Sequence, residues 1–333
     1  MLFEASKAAK GVRVKNDLFT LNPSPQGGGV HSPLPRRGNT IDAAVYWRDA
    51  REALERGNTG LAAACLENAV RQDPADLEAY RALGRILRYA GRPDEAATWY
   101  RRCLEIAPAD AVATMGLVAL GQSPVPERLP NDVVLYVFDR NAESYEANMR
   151  GLGYSGPEAL LGLLRAEGGA EDGSLDVLDL GCGSGWCGPL FRPFARRLVG
   201  VDLSPRMLAI AAGKHVYDDL IQAEILEYLA CTAGSIDVVA AANVLVYFGD
   251  LASLAEGVAR VLRPGGRFLF DVEKGEGPEP GFNVSGRYTH SLAVLESALL
   301  PRGFTFSRVD ETVMRTELGA PVAGLCCAVR RSS

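Results

Sequence analysis

The chain is predicted to be an α/β protein with a doubly wound, mostly parallel sheet, preceded by a small all-α domain. Three observations predict it. Short apolar runs alternate with helical stretches from Val177 onward, the pattern of strands joined by right-handed crossovers. The first run, Val177 to Leu180, ends at glycines alternating at 181, 183 and 185, where a backbone without Cβ takes positive φ and approaches a ligand directly. From Ile41 to Gly121 the apolar period is helical instead, and that stretch repeats itself.

Composition excludes several classes. The 333 residues are 47% apolar and 23% charged, ordinary for a soluble globular protein and long enough for two domains. No apolar stretch approaches the roughly 20 residues of a membrane span. Lys7, Lys10, Arg13 and Lys15 are not followed by the apolar segment of a secretory signal, so a cytoplasmic protein is expected. The net charge is −6, and the basic excess lies in residues 1–40. The acidic remainder offers no footprint for nucleic acid. Seven scattered cysteines show neither paired nor His-partnered metal spacing, so neither a metal site nor a disulfide frame is expected.

Residues 1–40, rich in Pro and Gly and without an apolar period, read as a disordered arm. Residues 41–121 then repeat at a spacing of 34, aligning Tyr46 with Tyr80, Ala62 with Ala96, Leu66 with Tyr100, Ala69 with Cys103 and Pro74 with Pro108. That period is the one of tetratricopeptide repeats. Two repeats leave an apolar face open, so residues 111–121 are expected as a capping helix. The pair serves to bind a peptide, to dimerise, or to prop the following domain. Residues 122–130, with three prolines, read as a linker.

Residues 131–333 form the second domain. A helix is expected from Val133 to about Met149, with a second opened by Gly156-Pro157-Glu158. Strands follow at 177–180, 198–202, near 220–223, 236–241, 267–272, 304–310 and 322–329, with helices between them. The last two strands are tightly connected, so one of them should run antiparallel. In such sheets ligands lie beyond the carboxyl ends of the strands. The polar residues Asp202, Glu224 and Asn243 fall at those ends.

The glycine run is not a dinucleotide fingerprint, because Trp186 occupies the sixth position of that frame. It is not a phosphate loop either, since no Gly-Lys-Ser/Thr follows. Val177–Gly185, Gly200-Val-Asp-Leu-Ser-Pro-Arg-Met207, Asp237–Asn243 and Leu262-Arg-Pro-Gly-Gly266 resemble the successive motifs of class I S-adenosylmethionine-dependent methyltransferases. Tetratricopeptide repeats ahead of such a domain, with Phe138-Asp139, Tyr145 and Gly286–His290 around it, are similar to a bacterial group of repeat-bearing methyltransferases. Glu224 and Asn243 depart from that pattern, which more often carries Asp at both positions.

The resemblance implies a Rossmann-like seven-stranded methyltransferase sheet and S-adenosyl-L-methionine as cofactor. It places Asp179, Gly181, Cys182, Gly183 and Gly185 around the methionine end. Asp202, with Leu203 and Met207, would meet the ribose, Glu224 and Ile225 the adenine, and Asn243 the region where methyl group and acceptor meet. Phe138 and Tyr145 are candidates to shield the sulfonium. His290, whose imidazole titrates near neutrality, is the candidate base, with Arg287 and Tyr288 as candidate binders of an acceptor carboxylate or phosphate. The Gly- and Pro-rich loop 273–286 is expected to shape acceptor choice. The expected activity is methyl transfer to a small molecule or protein side chain, with the repeats recruiting the acceptor or a partner. A non-catalytic, cofactor-binding scaffold and an NAD or nucleotide-sugar enzyme are the rivals.

Overall fold

The computed structural model describes residues 43–332 apart from 233 and 318. The expected arm at residues 1–40, with His31, lies outside the described residues. Two compact units are present, one ending at Gly116, the other running from Leu117 to Glu317 and again from Pro321.

The first unit is built from helix pairs: α1 (Ala43–Glu55) with α2 (Thr59–Gln72), then α3 (Leu77–Tyr89) with α4 (Pro93–Ile106), followed by α5 (Ala111–Ala119). Each pair turns at a glycine in the left-handed region, Gly57 and Gly91, where a Cβ is disfavoured. The period of 34 recurs in the hydrogen bonds. Trp47 Nε1 donates to Asp76 Oδ2 at 3.0 Å, and Arg81 Nε donates to Asp110 Oδ2 at 2.9 Å, the second bond lying one repeat after the first. Both aspartates also accept backbone N–H groups at helix starts, so each ties one repeat to the next while capping a helix. Tyr100 is 2% exposed, and its ring lies against Gly84 and Gly116. A Cβ on either glycine would come within 2.4 Å of that ring, so close helix approach requires glycine at both positions.

The second unit opens with α6 (Asn131–Asn141), a single 3₁₀ turn at Ala142–Ser144, and α7 (Tyr145–Gly151). The one helix expected here is therefore broken. Asn141 Nδ2 donates to Val137 O at 2.7 Å, a side-chain bond that competes with continuation of the helix. After α8 (Gly156–Ala166) come β1 (Leu175–Leu180), α9 (Cys187–Phe191), β2 (Ala195–Asp202), α10 (Pro205–Ala212), β3 (Asp219–Gln222), α11 (Ile225–Cys231), β4 (Ile236–Ala241), α12 (Ala252–Val261) and β5 (Leu262–Glu273). A hairpin of β6 (Gly281–Phe282) and β7 (Tyr288–Thr289) precedes α13 (Leu292–Leu299), β8 (Phe304–Glu317) and β9 (Ala320–Arg331). Helix α11 and the β6–β7 hairpin were not anticipated, being too short to show a period.

The sheet order is β3-β2-β1-β4-β5-β9-β8. Strands β1 to β5 pair in parallel and β9 pairs antiparallel to β5, as the tight final connection implied. Alternate residues of β1 face opposite sides: Leu178 and Leu180 pack with α11, α12 and α13, whereas Val177 packs with α8 and α9. With both faces covered, the strands read as continuous apolar runs. The strand order reverses between β1 and β4, and their carboxyl ends open there into a cleft.

Candidate functional site

The cleft and the open space at its mouth together take in about 920 Å³. Asp179, Gly181, Cys182 and Gly183 line it after β1, Asp202 and Leu203 after β2, Glu224 and Ile225 after β3, and Asn243 after β4.

The glycine turn divides its labour. Gly181, Gly183 and Gly185 all have positive φ, at 65°, 53° and 79°. A Cβ on Gly183 would meet nothing nearer than Gly181 O at 4.0 Å, so its missing side chain leaves space that belongs to the cleft. On Gly181 it would strike Val244 Cγ2 at 2.5 Å. On Gly185 it would press on Ala211 and the Tyr217 ring at 3.0 Å. Gly185 does not line the cleft; it seats the turn against the neighbouring helix. Met207, expected beside the ribose, is also absent from the lining. Its side chain is 0% exposed, and its N–H donates to Ser204 Oγ at 3.1 Å, because this position is the first inward turn of α10.

Asp202 holds the glycine turn in place: Gly183 N and Ser204 N donate to its two oxygens at 2.8 Å each. Each oxygen keeps a further lone pair for a ligand hydroxyl. Glu224 accepts from Arg128 at 2.8 Å on one oxygen and from Glu227 N at 3.0 Å on the other, the latter bond capping α11. Asp179 is 2% exposed and accepts from the Tyr217 hydroxyl at 2.6 Å. Burial pushes its carboxyl up to about 7, the Tyr217 bond opposing that shift and the charge of Asp202 adding to it.

Asn243 adopts φ 57°, and its N–H donates to Asp271 Oδ1 at 2.6 Å. The other oxygen of Asp271 accepts from the Tyr154 hydroxyl at 2.6 Å. Burial raises this carboxyl to about 6, while the bonds from Tyr154 and Asn243 lower it. Asn243 Nδ2 donates to the Tyr145 hydroxyl at 3.3 Å, leaving Asn243 Oδ1 buried without a hydrogen-bond partner. Phe138 and Tyr145 both line the cleft with ring centroids 5.7 Å apart, and Phe138 stands edge-on to Tyr247 at 5.6 Å. Phe138 and Tyr145 thus belong to an aromatic wall of the cleft that also holds Tyr247, Tyr154, Trp186 and Phe248.

His290, Arg287 and Tyr288 do not line the cleft, which corrects the expectation that they face an acceptor. His290 is 0% exposed, with Nε2 3.3 Å from Leu245 O. Burial lowers its pKa, keeping the imidazole neutral. Arg287 is held by Glu317 at 3.1 Å and Glu273 at 3.5 Å, the carboxylates that also pair the fully buried Arg315. Tyr288 donates to Pro126 O at 2.6 Å. The three are drawn into the β6–β7 hairpin and its base, where Phe282 packs on Tyr288 with ring centroids 4.8 Å apart.

Residues 122–130, read as a linker, supply part of the cleft. Leu129 N donates to Tyr247 O at 2.9 Å, and Gly249 N and Asp250 N donate to Glu127 O at 2.7 and 2.9 Å. This strap carries Arg128, Leu129 and Asn131 to the lining. Sequence reasoning missed them, as it missed Tyr154, Tyr217, Tyr247 and Asp271. Asp271 alone left a signal, an acid inside the otherwise apolar run Phe268–Val272.

Residues 178–270 match a family model described as a methyltransferase domain, and residues 48–111 match one described as a tetratricopeptide repeat. The chain is 35% identical over 102 residues to a ubiquinone biosynthesis O-methyltransferase of Thiobacillus denitrificans, covering 29% of this chain and 43% of that protein. It is 28% identical over 149 residues to a malonyl-[acyl-carrier protein] O-methyltransferase of Yersinia pestis, covering 44% and 52%. The chain spans about half the length, or less, of the curated relatives it matches. Among solved structures, magnesium protoporphyrin IX methyltransferase from Synechocystis with bound S-adenosylhomocysteine matches with a TM-score of 0.45 at 19% identity, covering 59% of this chain and 99% of that one. The family match makes residues 178–270 a methyltransferase domain. The chain joins that domain to tetratricopeptide repeats.

Proposed function

We propose that the protein transfers a methyl group from S-adenosylmethionine to an acceptor, and that the repeats recruit the acceptor or a partner protein. One observation carries the reading: the ends of four adjacent parallel strands deliver Asp179, Asp202, Glu224 and Asn243 to a single cleft floored by the open Gly183. The donor set suits the cofactor. Among the described residues, three carboxylates and one arginine, itself paired to Glu224, line the cleft, a balance that favours a cation over an anion. The aromatic wall of Phe138, Tyr145 and Tyr247 adds attraction for positive charge.

Bound there, S-adenosylmethionine supplies an electrophilic methyl group on a positively charged sulfur. The chain's own part is to hold and to exclude. Asp202, fixed by two backbone N–H groups, offers its remaining lone pairs to ribose hydroxyls, and Glu224 with Ile225 borders the adenine. Asp179, braced by Tyr217, faces the amino-acid end. The aromatic wall keeps water from the reacting centre, so that catalysis rests on alignment in a dry site.

The two curated relatives named above act, by their names, on different acceptors, so neither acceptor is assigned to this chain. Free thiols at all seven cysteines support work in a reducing compartment such as the cytoplasm. Transfer of a tritiated methyl group from S-adenosylmethionine to components of an extract of the cells that encode the protein tests the reading. Labelling that is lost in Asp202→Ala supports it. Cofactor binding without labelled product would instead indicate a scaffold.

A further inference from the structure

The acceptor side of the cleft has its own chemistry, whose assignment rests on the methyltransferase function proposed for the cleft. Asn243 is 5% exposed and lines the cleft, yet its Oδ1 has no hydrogen-bond partner. A buried carbonyl oxygen left unsatisfied costs about 1–3 kcal/mol, so one held in place invites a ligand that donates. It is held firmly: the backbone of Asn243 is fixed in the left-handed region by Asp271, and its Nδ2 is directed to the Tyr145 hydroxyl. The side-chain orientation that gives Nδ2 this bond leaves Oδ1 as the unfilled acceptor.

The surroundings disfavour an anionic acceptor group. Arg128, the cation among the described lining residues, is paired with Glu224. Arg287 and Arg315, which interact with Tyr247 but do not line the cleft, share Glu273 and Glu317. A carboxylate would bring lone pairs against Asn243 Oδ1 and near the buried Asp271. Aromatic faces at Phe138, Tyr145 and Tyr247 suit a planar, uncharged group.

We propose that Asn243 Oδ1 binds the acceptor through a hydrogen on the atom to be methylated, and that the acceptor is a hydroxyl or amine, not a carboxylate. As the carbon–sulfur bond breaks, its electron pair stays on sulfur and the acceptor atom forms the new bond to the methyl carbon. The acceptor's proton, which an amide oxygen does not retain, leaves Asn243 Oδ1 for water at the open mouth of the cleft. Charge balances: the positive charge lost by the sulfonium leaves with that proton.

The test uses the full chain, tritiated S-adenosylmethionine and extract of the encoding cells, with the labelled product then treated with mild alkali. Ethers and N-methyl groups survive, whereas a carboxyl methyl ester releases volatile methanol. Alkali-stable label is expected. Asn243→Gly removes the side chain without straining the positive φ; it should cut labelling at least tenfold while S-adenosylhomocysteine affinity, measured by calorimetry, stays within about threefold. Volatile label released by alkali would overturn the proposal. So would unchanged labelling in Asn243→Gly, or a tenfold loss of S-adenosylhomocysteine affinity, which would make Asn243 a cofactor ligand. No labelling at all despite cofactor binding would overturn the catalytic function on which the proposal stands.

Discussion

Tyr217 reaches from the segment between α10 and β3 to donate a 2.6 Å hydrogen bond to Asp179 at the end of β1, and that bond tunes the charge at the floor of the cleft. Asp179, displaced upward to about 7 by burial, keeps a proton in the folded, ligand-free chain over a range where the unfolded chain has lost it. Ligand-free stability therefore falls as pH rises from about 4 toward 7. Binding an ammonium-bearing ligand requires the carboxylate, so affinity for S-adenosylhomocysteine should weaken as pH falls below 7, approaching about tenfold per pH unit well below the midpoint. Tyr217→Phe removes a bond that lowers the pKa, so the midpoint should move upward. Calorimetry across about pH 5.5–8.5, a span bracketing that midpoint, measures both.

Gly183 and Gly185 should separate binding from stability. Gly183→Leu places a side chain in open cleft space at a backbone cost of about 1–2 kcal/mol; the fold should survive while S-adenosylhomocysteine binding is lost. Gly185→Ala presses on Ala211 and Tyr217 and should chiefly lower the thermal midpoint. Circular-dichroism melting alongside calorimetry distinguishes the two effects, and retained affinity in Gly183→Leu would remove the glycine turn from the site.

Asp271 joins Tyr154 to the β4 turn. Asp271→Ala leaves the Tyr154 hydroxyl and Asn243 N without their acceptor, both buried, for an expected loss of about 2–4 kcal/mol. Gly156→Ala should damage the same centre, since its Cβ would lie 2.0 Å from the Tyr154 oxygen and 2.3 Å from Asp271 Oδ2. Urea unfolding measures both; midpoints equal to wild type would show that the centre relaxes freely.

In the repeats, Tyr100→Ala empties the space bounded by Gly84 and Gly116 and should cost about 3–5 kcal/mol. The helical signal should melt early while S-adenosylhomocysteine binding to the other unit persists. Parallel melts followed by helical ellipticity and by ligand affinity test this.

Elements with a period were legible in the sequence, and side-chain partnerships across it were not. The run Val177–Leu180 and its glycines announced β1 and its turn because a doubly covered strand must be apolar and a tight ligand turn must lack Cβ. The spacing of 34 announced the repeats because equivalent positions make equivalent contacts, as in the Trp47–Asp76 and Arg81–Asp110 bonds. Asp202, Glu224 and Asn243 were readable as strand-end residues. Arg128 was not, because its place depends on main-chain bonds to Tyr247 and Asp250, far along the chain. Tyr217 was hidden in the same way by its distance from Asp179. His290 misled, because a histidine after a glycine-rich loop has the right acid–base chemistry, and only burial beside the β6–β7 hairpin removes it from the cleft.

The central claim is that the β1–β4 strand ends form a site for S-adenosylmethionine, and titration calorimetry of the full chain with S-adenosylhomocysteine tests it most directly. Saturable binding at one site per chain, lost in Gly183→Leu and weakened in Asp202→Ala, is the expected result. Absence of S-adenosylhomocysteine binding together with saturable binding of NAD would contradict it.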